Sequence, residues 1–135
     1  MIPLIENFKH FMGKEVYRSC LMDGSLDIIP IELCRGLSLE DSFIIVDEAE
    51  NCTEEQIDLM TTRVGKGSKL ILVGDNDQTD LPNNEAGALE DFIYDVGHLE
   101  DVGVCRLTVH DIQRHPVVGH IINARREARK DRNRN

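Results

Sequence analysis

The sequence has no tryptophan, and only two tyrosines and four phenylalanines stand among its 135 residues. Its core must therefore be built from Ile, Leu and Val, packed without many large rings. The four cysteines, Cys20, Cys34, Cys52 and Cys105, lie far apart. There is no CxxC pair and no mixed His/Cys cluster, so zinc-ligand spacing is missing. Four scattered thiols read as reduced side chains rather than as a disulfide framework. Long apolar runs are missing too. The opening stretch MIPLIENFKHFMGK mixes acidic and basic residues early, unlike a signal peptide or a membrane span. A cytoplasmic protein with no membrane partner is expected. No internal repeat and no low-complexity linker occurs.

Positive charge is scarce except at one end. The formal net charge is −10, but residues 125–135 (RREARKDRNRN) carry +4 and residues 1–124 carry −14. An acidic body holds a phosphate backbone poorly, which leaves contact with nucleic acid, or with an acidic partner surface, to the basic tail. The simpler reading of that tail is a solvated terminus. The expected organisation is one domain over residues 1–124 followed by a basic tail over 125–135.

The hydrophobic pattern alternates between helix and strand periods. Ile5, Phe8, Phe11, Met12 and Val16 predict one amphipathic helix over residues 4–18, ended by MDG at 22–24. LDIIPIEL at 26–33 reads as a short edge strand interrupted by Pro30. Phe43, Ile44, Ile45 and Val46 form a continuous apolar run, as in a strand buried on both faces of a parallel sheet. Thr53 and Gln56 have the spacing of a capping box, and Ile57, Met60 and Val64 continue one helical face behind it. A second buried strand follows at 69–73, then a helix at 86–96 and a third strand at 103–109. Pro116 sits where a last helix begins, with Val117, Val118, Ile121, Ile122 and Ala124 on its buried side. This order predicts an α/β layer fold with a mainly parallel sheet flanked by helices.

Two strand ends carry chemistry. FIIVDEAEN places Asp47 and Glu48 directly after a buried strand, at the edge of the sheet where open α/β folds bind ligands. In phosphoryl transfer, a carboxylate at the first position suits Mg²⁺, and one at the second suits orienting the attacking water. The plainer reading is a solvated loop that happens to begin with two acids. KLILVGDNDQTDLP repeats the arrangement with Gly74 and Asp75, and Gln78 three residues on can both donate and accept to a phosphate or a water. The plainer reading there is a turn with a solvated Gln78. Two acidic strand ends one helix apart favour nucleotide chemistry over both plainer readings. Arg114, just before the Pro116 helix, is placed to neutralise charge on a transferring phosphate in its own subunit or a neighbour's, with a surface arginine salt-bridged to the acidic body as the alternative. Arg63 and Arg35 are weaker candidates for phosphate or inter-subunit contacts, with surface ion pairs as the alternative. His115 is a candidate general base, but at a helix start the ordinary hydrogen-bonding role is the favoured reading.

The succession RGLSLEDSFIIVDEAENCTEEQ, TRVGKGSKLILVGDNDQTDLP and DIQRHPVV resembles the C-terminal part of the PhoH family of P-loop ATPases, over roughly residues 24–125. The resemblance implies a partial RecA-like core. Under it Asp47 and Glu48 match the Walker B pair, and Gly74, Asp75 and Gln78 match the sensor motif. Arg114 matches an arginine finger, and Arg63 falls in the family's Thr-Arg-x-Gly stretch. It further implies Mg²⁺-dependent ATP hydrolysis, ring-type oligomers and, in some members, activity linked to RNA.

Two features depart from that pattern. Glu50 stands where the family usually has Gln, and a second carboxylate near bound phosphates adds repulsion, retuning nucleotide affinity, unless it points away or is protonated; the alternative is a harmless substitution at an exposed position. In addition, no GxxxxGK[ST] occurs; Gly65, Lys66, Gly67, Ser68 and Lys69 join a helix to a strand, the reverse of a P-loop's order. Without that glycine nest, the 135 residues alone are not expected to hold Mg²⁺ and ATP. The expectation is a non-autonomous ATPase subunit or interaction module, either a homo-oligomer or a complex with a P-loop-bearing protein. The alternative is the C-terminal half of a split Mg²⁺-dependent ATPase.

Overall fold

Gly13 divides the first predicted helix in two. In the computed structural model, which describes residues 2–75, 87–108, 111 and 116–132, α1 spans Ile2–Met12 and α2 spans Lys14–Asp23. Between them Gly13 takes φ 85°, a left-handed conformation that breaks the continuous helix expected from the apolar stripe. Gly24, also left-handed, closes α2 where MDG was expected to end it. Lys9 ties the pair together. Its ammonium meets Glu6 at 2.7 Å and lies 5.6 Å from the ring centre of the buried Tyr17.

Residues 26–30 form no strand, a correction to the reading of LDIIPIEL. Pro30 caps a short 3₁₀ turn, Ile31–Cys34, that tucks Cys34 into the core. The sheet follows. Strand β1 (Phe43–Val46) and strand β2 (Lys69–Leu72) pair in parallel, Phe43 opposite Lys69 and Val46 opposite Leu72. Helix α3 (Glu54–Thr61) makes the crossover between them. Its start is the capping box read from the sequence: Thr53 Oγ1 accepts the Gln56 amide at 3.3 Å, and Gln56 Oε1 accepts the Thr53 amide at 3.0 Å. Helix α4 (Ala88–Val96) lies where the pattern placed it.

The core gathers on one face of this pair. Ile44 and Val46 from β1 pack with Ala49, Cys52, Ile57 and Met60, with Leu89 of α4, and with Cys34. Phe43 and Ile45, pointing to the other face, are 75% and 39% exposed. The expectation of a strand buried on both sides is therefore met on one side only. Val64 lies beyond α3, in an isolated bridge to Leu39, and is exposed.

The chain divides into two compact units, Met1–Leu99 and Glu100–Asn135. The second has no strand over residues 102–108, against the expected third strand; its main element is α5 (Pro116–Arg132), which begins at the proline as read. The helix runs through residue 124 without interruption, so the basic segment is helical up to Arg132. Among the described residues, no helix is long and apolar enough to cross a membrane.

Candidate functional site

The two acids of FIIVDEAEN sit in a turn held at both ends by one residue. The Val73 amide donates to the Val46 carbonyl at 2.9 Å, and the Ala49 amide donates back to the Val73 carbonyl at 2.8 Å. Asp47 and Glu48 are thus looped out between two hydrogen bonds to the same partner. The loop demands an unusual backbone: Glu48 has φ 56° and ψ 41°, the left-handed region that a bulky side chain rarely enters. Strain of this kind persists where surrounding structure over-determines it, and it clusters at functional sites. A 3₁₀ turn, Ala49–Asn51, follows at once, its Asn51 amide donating to the Glu48 carbonyl at 2.9 Å. Asp47 is half-buried and Glu48 is exposed.

Gly74 and Asp75 follow β2 at the same end of the sheet. A side chain at residue 74 would collide with its surroundings: a β-carbon there would lie 2.7 Å from Glu50 Oε2, 2.8 Å from Leu89 Cδ2 and 2.9 Å from the Glu50 amide nitrogen. Close approach of the two strand ends therefore requires glycine here. Glu50, at 8% exposure, is the one charged residue buried with the core among the described residues, and its Oε2 accepts the Asp75 amide at 3.1 Å. Of the two readings of Glu50, the harmless exposed position is the one the structure excludes. Its carboxylate is turned into the protein, toward β2.

Asp47, Glu48, Gly74 and Asp75 are therefore brought to one edge. Arg63 is not. It follows α3 on the side where the strands begin, with Nη1 donating to the Leu37 carbonyl at 3.2 Å and Nη2 to Thr62 Oγ1 at 3.2 Å. Arg35 is exposed at the end of the 3₁₀ turn 31–34. Gln78, Arg114 and His115 lie outside the described residues. The stretch from Gly65 to Lys69 is the turn it was read to be: Gly67 is left-handed, the Ser68 amide returns to the Gly65 carbonyl at 3.2 Å, and the Lys69 amide enters the sheet on the Ser42 carbonyl.

The donor set suits a hard cation in only one way. Among the described residues, no three His, Cys, Asp or Glu side chains converge into a metal cage. One or two carboxylates at a strand end hold Mg²⁺ when phosphate oxygens and waters complete its shell, and that is the arrangement Asp47 can serve. Burial pushes the neighbouring Cys52 thiol up, with Glu50 and then Glu32 adding to the effect, and it pushes the Cys34 thiol up as well. Neither is poised as a nucleophile.

A two-stranded parallel sheet flanked by helices is the architecture of a partial P-loop NTPase-like α/β core. The family model for "PhoH-like protein" matches residues 1–126, and the chain belongs to that family. It is 37% identical over 122 residues to a "PhoH-like protein" of Synechocystis sp., covering 90% of this chain and 37% of that protein. A "PhoH-like protein" of Mycobacterium tuberculosis is 34% identical over 122 residues, with 90% and 35% covered, and "Protein PhoH" of Escherichia coli is 29% identical over 124, with 90% and 35% covered. The chain thus spans little more than a third of the length of these curated relatives.

Proposed function

We propose that this chain is the Mg²⁺- and water-handling part of a PhoH-type ATPase, non-autonomous until a P-loop is supplied from outside its 135 residues. The observation that carries the reading is the acid turn, in which Asp47 and Glu48 are looped out and pinned at both ends to Val73. A turn pinned at both of its ends suits a pre-organised site, because acids positioned before substrate arrives cost little reorganisation during reaction.

In this reading Asp47 holds Mg²⁺, directly or through water, beside the phosphates. Bound Mg²⁺ would supply charge neutralisation at the transferring phosphoryl group. Glu48, exposed at the rim, orients a water and accepts its proton as the water attacks. Asp75 and Gln78 flank the phosphates from the second strand end, and Arg114 completes the charge balance from its own subunit or a neighbour. The glycine nest for the phosphates comes from the partner segment. Equimolar mixing with a P-loop-bearing PhoH-family partner should yield Mg²⁺-dependent ATP hydrolysis. Glu48→Gln in this chain should lower the rate by about 10²–10⁴-fold with the complex intact. An unchanged rate in that variant removes the catalytic role, and failure to form a complex removes the reading.

A second reading is that the chain binds a partner and hydrolyses nothing. The open face of the sheet favours it, since Phe43, Ile45, Ile71 and Val73 are all exposed side by side on paired strands. The two readings separate on whether any complex acquires activity.

A further inference from the structure

β2 donates alternate amides to β1: Lys69 to the Ser42 carbonyl at 2.9 Å and, further along, Val73 to the Val46 carbonyl at 2.9 Å. The next bond to Val73 comes from the Ala49 amide, so past the looped-out acids the acceptor in register with the Asp75 amide is the Ala49 carbonyl. That carbonyl is engaged elsewhere, because the chain has turned into the 3₁₀ segment and the Cys52 amide occupies it at 3.1 Å. The Asp75 amide instead meets the Glu50 carboxylate at 3.1 Å. A side-chain oxygen thus replaces a backbone oxygen at the next rung of the ladder.

We infer that Glu50 is a positioning residue: its side-chain oxygen extends the parallel ladder by one rung and fixes Gly74 and Asp75 beside the turn that carries Asp47 and Glu48. Three observations support this independently of any nucleotide. Glu50 is buried, although a carboxylate with no structural duty is stable in water. Its Oε2 points at a backbone amide of the neighbouring strand end. The adjacent residue is a glycine whose missing β-carbon makes room for that same oxygen and for the Glu50 backbone. The role asks for an acceptor at the end of a side chain of this length. Gln keeps such an acceptor and can fill the role, whereas Met, of similar length without an acceptor oxygen, cannot.

Amide hydrogen exchange at Asp75, followed by NMR on the chain without nucleotide, tests this directly. Protection should match the parent within about threefold in Glu50→Gln and fall at least tenfold in Glu50→Met, a free-energy change of about 1.4 kcal/mol. The Val73 amide is the internal control and should hold its protection in both variants. Should Glu50→Met fail to fold, Glu50→Leu gives the same answer, being apolar and without an acceptor oxygen: Asp75 protection should drop while that of Val73 persists. Parent-like protection of Asp75 in Glu50→Met or in Glu50→Leu overturns the assignment, and so does its loss in Glu50→Gln. The bearing of this brace on phosphate chemistry rests on the function proposed above. The exchange measurement does not, so the two can fail separately.

Discussion

The two faces of the β1–β2 pair carry similar residues and meet different surroundings. On one face Ile44 and Val46 are sealed under α3 and α4 by Ile57, Met60 and Leu89. On the other, Phe43, Ile45, Ile71 and Val73 are apolar and remain exposed, with Lys69 opposite Phe43 as the one charged residue of the two strands. A half-solvated antiparallel sheet would alternate apolar and polar residues. Apart from Lys69 these strands do not alternate, which is closer to the composition of a sheet covered on both sides. The difference teaches that the apolar composition of a strand does not by itself tell which of its faces is covered.

The largest effect should come from breaking the sealed face. Ile57 is 2% exposed, and Ile57→Ala should cost about 2–5 kcal/mol of unfolding free energy, measured by denaturant titration. Phe43→Ser, at 75% exposure on the open face, should fall within about 0.5 kcal/mol of the parent, the range of ordinary surface substitutions. A comparable loss from both would mean the faces are equally covered in solution, and the contrast would be lost.

A smaller effect sharpens the same contrast through the thiols. Cys34 and Cys52 are buried on the sealed side and Cys105 is exposed. An alkylating reagent at neutral pH should therefore modify Cys105 first, as read by mass spectrometry. The buried thiols also carry a pH signature. Their folded pKa values are raised, so the folded state favours the protonated form. The stability linked to that preference is fully present below the ordinary thiol pKa of about 8.5 and is lost as pH climbs through the folded values. Thermal melts should weaken above that pH, and less so in a Cys34→Ala/Cys52→Ala chain when each is compared with its own neutral-pH value.

Local chemistry was legible in the sequence wherever it was decided within a few residues. Thr53 and Gln56 announced their capping box, Pro116 the start of α5, Gly24 the end of α2, and the run 43–46 a strand with acids at its end. What depended on distant contacts was not legible. Gly13 lies in a pattern that continues across it, and only its left-handed backbone shows the break. Residues 26–33 and 103–109 have the composition of strands, but a strand exists only where a neighbour accepts its hydrogen bonds. The placement of Arg63 away from the acids follows from the parallel topology, which no short motif encodes. Glu50 was read as a substitution near phosphates; its partner, the Asp75 amide, stands twenty-five residues along the chain. The one available signal was Gly74, a glycine at a strand end where the backbone must come close to something.

The central claim is that the acid turn is half of a nucleotide site and waits on phosphate-binding donors these residues lack. Calorimetric titration with ATP and Mg²⁺ tests it most directly, first on the chain alone and then on its complex with a P-loop-bearing PhoH-family partner. The account predicts no measurable heat of binding for the chain alone, and saturable binding by the complex that is weakened by Asp47→Asn. Tight binding of Mg²⁺ and ATP by the chain alone would contradict it.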